Sequence, residues 1–414
     1  FFVVNVFGFR DAATGARRFT SALFAVARKN AKALALDTDI PTPSGWRKMA
    51  DIEAGQSVYG ADGKPCRVVA TSPVFVGKRC YRVGFSDGSA VVASGDHLWR
   101  TTHRHRPWAT PRVNGSGNGG RRVTDVITTE QIHASLRVER PDDGVEFNHS
   151  IPVAPALESP DVDLPLDPYM LGAWLGDGTT ATAQMTCGDR DVGHFTEEVR
   201  RVVGGAPVVR RDKTAWRIGL TTGRGGRAVK IQSTLRELDV LGNKRIPDAY
   251  LWAGTEQRRA LLQGLMDTDG TICPTGKSGA VSCAFTSTSQ VLADGVLQLA
   301  RSLGIKAACS EGEAKLHGRV IGPRYLVQFT AWAEDRVFRL PRKAARLQPR
   351  PDAHRRSSTL KIVSCDEVSS VPAKCLMVDS QDHMFLAGRG MTPTHNSTLA
   401  AAILLYCMCC ENEP

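Results

Sequence analysis

Two segments of the chain share one pattern, and that duplication limits the available folds more than any other feature. Met170-Leu171-Gly172-Ala173-Trp174-Leu175-Gly176-Asp177-Gly178 and Leu262-Gln263-Gly264-Leu265-Met266-Asp267-Thr268-Asp269-Gly270 each read as an apolar helix closed by Asp-Gly, with Gly as the helix stop. In each, a small residue recurs after four positions: Gly172 with Gly176, Gly264 with Thr268. Positions four apart lie on one helix face, and a bare face lets two helices approach at backbone distance. Packed so, the helix ends bring Asp177 and Asp269 to one point. Two buried carboxylates there repel unless a divalent cation neutralises them. A single Asp-Gly end is an ordinary cap; the pair is the signal. The spacing allows one αββ-type half per copy about a pseudo-twofold axis.

The flanking texture is different. From Ala33 the chain runs in short apolar stretches punctuated by Pro43-Ser44-Gly45-Trp46, Gly60-Ala61-Asp62-Gly63 and Ser86-Asp87-Gly88, the pattern of an all-β unit. A Gly- and Arg-rich stretch from Arg104 to Arg122 reads as a mobile loop, and Pro152, Pro155, Pro160, Pro165 and Pro168 mark a linker. A mixed α/β region follows to about residue 340, then a basic connector from Arg339 to Arg356, and β texture returns from Val371 to Leu386. This predicts a mainly β domain interrupted by an inserted α/β domain. The 414 residues are too many for one ordinary core. Lys+Arg 53 against Asp+Glu 42, net +11, makes nucleic acid a reasonable partner. Eleven scattered Cys argue for a reducing, cytoplasmic setting over a secreted disulfide framework. No apolar run reaches the roughly 18 residues of a membrane span, so no membrane partner is expected. The chain opens at Phe1-Phe2-Val3-Val4 and halts at Glu413-Pro414 after an apolar helix, and so reads as a fragment. Cys407-Met408-Cys409-Cys410 on that helix reads as core, not as a metal site.

The second copy of the duplicated segment matches the LAGLIDADG signature, and the first resembles a common variant of it. The region from 151 to 350 is therefore similar to a two-motif, monomeric LAGLIDADG homing endonuclease with its linkers. That resemblance implies saddle-shaped sheets in the DNA major groove and Mg²⁺ held by Asp177 and Asp269 for phosphodiester cleavage. It also sets Lys244, in Gly242-Asn243-Lys244-Arg245-Ile246-Pro247, where the family carries a basic residue near the scissile phosphate; the plain alternative is a solvated loop lysine. Arg200, Arg201, Arg210, Arg211, Arg224 and Arg227 are candidates for phosphate contacts.

The most specific chemistry lies in Thr394-His395-Asn396-Ser397. The Asn396 side-chain amide can attack its own carbonyl, form a succinimide and break the chain. His395 can assist that step, and Ser397 offers a hydroxyl nucleophile. Alone, His-Asn-Ser is a turn. Its context is Ala33-Leu34-Ala35-Leu36-Asp37-Thr38, Ser94-Gly95-Asp96-His97, and Asp382-His383-Met384-Phe385-Leu386-Ala387-Gly388. Together these resemble the splicing blocks of an intein spanning Ala33 to Asn396. The resemblance implies a horseshoe-shaped Hint fold divided into 33–150 and 351–396, with His97 activating the N-terminal junction and His383 assisting later steps. Most inteins begin with Cys or Ser, but Ala33 has no nucleophile. Cys375, with Trp99 and Thr394, completes the triplet of class 3 inteins, in which that Cys attacks the junction directly. The remaining alternative is a Cys-initiated intein disabled at its first residue.

Rejoining the flanks 1–32 and 397–414 gives Val26-Ala27-Arg28-Lys29-Asn30-Ala31-Lys32-Ser397-Thr398-Leu399. A basic loop ending Lys-Ser before an apolar helix is a P-loop pattern, with Lys32 on ATP phosphates and Ser397 on Mg²⁺ once spliced. With Phe2 to Phe9 and Arg17-Arg18-Phe19 upstream, the flanks look like a phage terminase large subunit, a DNA-packaging ATPase. The implied partner is double-stranded DNA, the terminase gene lacking the insert. Two other readings stay open: a DNA-binding enzyme with a β-accessory domain and no splicing, and an ATPase with a large regulatory insert.

Overall fold

The computed structural model describes residues 32–104, 122–139, 144–212, 215–222, 231–274, 281–316, 319–351 and 359–395. Asn396, Ser397, both flanks and their P-loop apart from Lys32, the cysteine cluster, Arg224, Arg227 and most of the Gly- and Arg-rich stretch lie outside the described residues.

Short strands separated by tight turns build an eight-stranded sheet from distant parts of the chain. Leu34–Ala35 (β1) lies between Ala90–Ser94 (β2) and Ala373–Lys374 (β3), antiparallel to both. Beyond β2 come Cys80–Phe85, Thr359–Val368, Ser150–Pro152, Leu98–Arg104 and Arg122–Thr128. A hairpin of Met384–Ala387 (β4) and Thr392–His395 (β5) packs beside them. Leu34, Val83, Phe85, Trp99, Ile151, Ile362 and Phe385 share one buried core. In the central strand Cys80–Phe85 only Arg82 is exposed, the near-continuous burial of a strand covered on both faces.

The chain leaves this sheet after Pro152 and returns at Thr359, and these two residues are paired neighbours in the sheet. Between them lies a second core containing Trp174, Met185, Ile218, Leu265, Phe285, Leu299 and Phe329. It has two related halves. The first is Pro168–Asp177 (α1), strand Gln184–Cys187, helix Val192–Val203 and the hairpin of Pro207–Asp212 with Ala215–Thr222. The second is Thr255–Thr268 (α2), the hairpin of Gly270–Pro274 with Val281–Ser287, Gln290–Ser302 (α3), and the hairpin of Ala307–Leu316 with Arg319–Ala331. Each half thus carries an extra helix beyond the αββ outline expected from spacing. Helix Val192–Val203 and α3 bury amphipathic faces, Phe195 and Val199 in one, Val296 and Leu299 in the other. The fold class is the expected one, a mainly β domain with an inserted α/β domain. Among the described residues no helix is long and apolar enough to cross a membrane.

Helices α1 and α2 meet backbone to backbone at Gly172 and Gly264, and at Gly176 the Thr268 side chain lies between them. A Cβ on Gly172 would sit 2.2 Å from the Leu261 carbonyl oxygen, and one on Gly264 2.2 Å from that of Tyr169. Real Cβ atoms do not approach so closely, so the helices must separate or the residues must stay glycine. We predict that Gly264→Ala destabilises the inserted core by about 1–3 kcal/mol. Urea unfolding followed by Trp fluorescence should show the fall in midpoint; an unchanged midpoint would mean the helices are not held at this distance.

Candidate functional site

The bare helix faces place Asp177 and Asp269 together at the C-terminal ends of α1 and α2. The Asp269 carboxylate reaches to 3.5 Å of the Cβ position of Gly176. Burial pushes the Asp177 carboxyl up to about 6, and the neighbouring Asp269 charge pushes the same way. Burial raises Asp269 also, opposed by Lys244 and Lys343. Each lysine serves one helix. Lys244 Nζ donates to the carbonyls of Gly176 at 2.9 Å and Gly178 at 2.7 Å. Lys343 Nζ, buried, donates to Met266, Asp267 and Gly270 carbonyls at 2.7–2.8 Å. Cations at helix C-termini satisfy orphan carbonyls and complement the dipole. Lys244 is therefore no freely solvated loop residue. Lys343 is its counterpart in the second half, and sequence reasoning missed it inside a connector; the shared setting, Ile246-Pro247 after Lys244 and Leu340-Pro341 before Lys343, was a faint signal.

The donor set fits a divalent cation. Two carboxylates with desolvated, repelling charges are what a hard cation takes from protein, with water and substrate phosphate completing its shell. Among the described residues there is no group of three or more His, Cys, Asp or Glu that could hold a metal ion. Asp267, beside the pair, serves the fold instead. Its carboxylate accepts from Tyr169 Oη at 2.8 Å and from the Leu340 amide at 2.9 Å, tying the connector to α2.

Flanking this centre, Gln184, Thr186, Arg210 and Arg217 lie on the sheet face opposite the buried Met185 and Ile218. Gln184, Arg210, Arg217 and Gln232 line a cavity of about 460 Å³. Arg200 and Arg201 instead pair with carboxylates of their own helix, Glu197 and Glu198, and Arg211 with Asp189.

A second centre surrounds the Lys32–Ala33 peptide. His97, fully buried, points Nδ1 at the Lys32 carbonyl oxygen at 2.9 Å and Nε2 at Thr394 Oγ1. A carbonyl only accepts, so Nδ1 carries the proton and Nε2 accepts from the threonine. Burial pushes His97 down to about 4, outweighing the Lys32 hydrogen bond; the ring is neutral near pH 7. The Ala33 amide donates to Ser94 Oγ at 3.0 Å, and Ser94 Oγ donates to Asp96 at 2.6 Å. Trp99 sets its ring edge to face against His97 at 4.9 Å and is itself fixed by Nε1 donating to Thr129 at 3.0 Å.

Cys375 follows directly from β3. Leu34 pairs with Lys374, the last residue of β3, and Cys375 is next in the chain. Its amide donates to Ser72 Oγ at 3.0 Å and its carbonyl accepts from the Ser72 amide at 2.9 Å, fixing its backbone. Ser72 and Thr129 were not singled out from sequence and lie in no distinctive motif, while Asp96 belongs to the Ser94–His97 segment but was given no role there. His395 ends β5 close enough for its charge to act on His97. His383 is exposed, in a left-handed conformation (φ 53°), one residue before the Met384–His395 pair.

Residues 256–331 match the LAGLIDADG-like domain family. The replicative DNA helicase DnaB of Mycobacterium intracellulare is 39% identical over 381 residues, covering 91% of this chain and 60% of that protein. The homothallic switching endonuclease of Saccharomyces cerevisiae is 28% identical over 194 residues, 39% of this chain and 31% of that one. The chain thus spans less than two thirds of either relative. A crystal structure of the MchDnaB-1 intein matches at 18% identity and TM-score 0.27, over 88% of this chain and 100% of its own.

The raised Asp177 carboxyl gives a sign-specific expectation. Its proton is held more tightly in the fold, so this stabilising contribution is full below the unfolded value of 3.8 and is lost as pH rises through about 6. A cation replaces the proton only above that range. Mg²⁺ should raise the melting temperature at about pH 7.5 more than at about pH 4.5, and Asp177→Asn should abolish the difference. Equal shifts at both pH values would exclude Asp177 as a ligand.

Proposed function

We propose that the chain is a self-splicing intein of the class 3 type carrying a LAGLIDADG endonuclease, with a Hint domain from 33–150 and 351–396 around an insert at 151–350. One observation carries the splicing reading: His97 reaches the Lys32 carbonyl, Thr394 and Trp99 hold its ring, and Cys375 directly follows the strand paired with β1.

The Cys375 thiolate attacks the Lys32 carbonyl carbon. Negative charge builds on the carbonyl oxygen, where the His97 Nδ1–H already donates, an oxyanion contact preorganised in a buried site. Thr394 and Trp99 hold the imidazole in that tautomer and orientation. The C–N bond breaks as the proton given up by the Cys375 thiol, carried by the His97 ring, is delivered to the Ala33 nitrogen, leaving Lys32 as a thioester on Cys375 and the imidazole neutral again. The acyl group passes to the Ser397 hydroxyl. Asn396 cyclises to a succinimide with His395 assisting, which frees the Ser397 amine, and an O-to-N shift joins Lys32 to Ser397. Proximity supplies the effective concentration; no cofactor is needed.

In the insert, Asp177 and Asp269 would hold Mg²⁺, which when bound supplies Lewis-acid stabilisation of the scissile phosphate and an acidified water. Lys244 and Lys343 brace the two helix ends so that the carboxylates stay in register, and Arg210, Arg217 and Gln184 face double-stranded DNA. The protein acts as a monomer in the cytoplasm of a phage host. The rejoined Lys32-Ser397 P-loop supports a terminase large subunit as host; the helicase relative favours a second reading, a DnaB host, which the DNA substrate distinguishes.

Mass spectrometry of the expressed chain is the decisive test. Cys375→Ala should abolish both N-terminal cleavage and ligation; product that forms only after Ala33→Cys would identify a disabled Cys-initiated intein instead. Asp177→Asn with Asp269→Asn should remove Mg²⁺-dependent cleavage of DNA spanning the uninterrupted terminase codons while ligated product persists. Cleavage surviving in that double variant would place the nuclease centre elsewhere.

A further inference from the structure

Among the contacts between the β domain and the insert is a buried cation. Arg301, near the end of α3, belongs to the inserted domain, yet its guanidinium reaches into the β domain. Nη2 donates to the Asp87 carbonyl at 2.9 Å and lies 3.0 Å from Asp87 Oδ2. Nη1 donates to the Arg389 carbonyl at 3.3 Å, and Nε donates at 3.2 Å to Ala307 of its own domain. The side chains are 7% and 2% exposed for Arg301 and Asp87. Asp87 lies in the turn that feeds β2, and Arg389 in the turn that feeds β5.

These two turns are packed on each other without slack. Gly388 has φ +71°, and a Cβ there would meet Val91 at 2.7 Å; one on Gly390 would meet Ser89 Oγ at 2.3 Å. The strands leaving them end at the junction. Ser94 closes β2 and Thr394 and His395 close β5. Each strand is only four or five residues long and is hydrogen-bonded along its length, so a shift at the turns is carried to the junction. A buried ion pair adds little net stability, because desolvation offsets the attraction. A guanidinium fork, however, fixes several acceptors in one plane.

We infer that Arg301 is a positioning residue for the junction chemistry: it ties the β2 and β5 turns together so that Ser94 and His97 meet Thr394 and His395 at the Lys32–Ala33 bond. This role rests on the splicing reading. The inserted domain is then a structural part of the splicing centre and not only a passenger.

The test measures ligation rates in the full chain for Arg301→Met, Arg301→Lys and Asp87→Asn, alongside melting curves and DNA cleavage. Arg301→Met should slow ligation roughly ten- to a hundredfold, the scale of a misplacement near 1 Å, at temperatures where it is folded and still cleaves DNA. Arg301→Lys, which keeps a donor opposite Asp87, should recover most of the rate. Asp87→Asn, close to isosteric, should slow ligation in the same direction and carries the test if Arg301→Met does not fold. Ligation at the parent rate in folded Arg301→Met or Asp87→Asn overturns the role, as does a lysine variant no faster than the methionine one. No ligated product from the parent itself overturns the splicing reading, and this role with it.

Discussion

The inserted domain depends on a helix contact made backbone to backbone at two glycines. Because α1 and α2 touch through Gly172 and Gly264, their axes are set by backbone atoms, which cannot adjust their rotamers. The two carboxylates at the helix ends inherit that rigidity. Elsewhere a pair of raised, mutually repelling Asp groups would drift apart toward water. Here the helices cannot part without losing their core, so the repulsion is retained in the fold. The lysines offset it only through space, since their ammonium groups donate to helix-end carbonyls.

In the β domain the constraint falls on His97, which is buried and held by a partner at each ring nitrogen. Burial makes it neutral, and two acceptor–donor contacts, one on each ring nitrogen, fix its tautomer. An imidazole exposed to water would share its proton between both nitrogens. The sheet register does the rest: β1 is flanked by β2 and β3, so one strand supplies Ser94 and the other leads to Cys375.

Much of this was legible in the sequence because it rests on local pattern. The small residues four apart predict the helix contact, and Asp-Gly marks its end. Trp99, Thr394 and Cys375 were grouped by resemblance, and the structure brings Trp99 and Thr394 onto one imidazole. What could not be read depends on pairings between distant segments. Lys343 sits in a connector that looks like solvated basic chain, and only the folded insert shows its ammonium group among four carbonyl oxygens. Arg301 ends an amphipathic helix at a position where an exposed arginine is ordinary. Asp87 reads as a turn residue. Nothing in either segment announces that they meet.

The sheet pairing of Pro152 with Thr359 has a topological consequence. The whole α/β domain enters and leaves through two cross-strand neighbours, so to the β domain it is a single hairpin loop of unusual size. Closure entropy grows only slowly with loop length, which is why so large a detour leaves the surrounding register intact. Replacing it by a tight turn would conserve every strand pair of the sheet. It would also delete the Arg301 guanidinium that spans the seam and open Asp87 to solvent. The architecture is thus severable in connectivity but not in mechanics, and a shortened chain would have to find a new way to hold its two turns together.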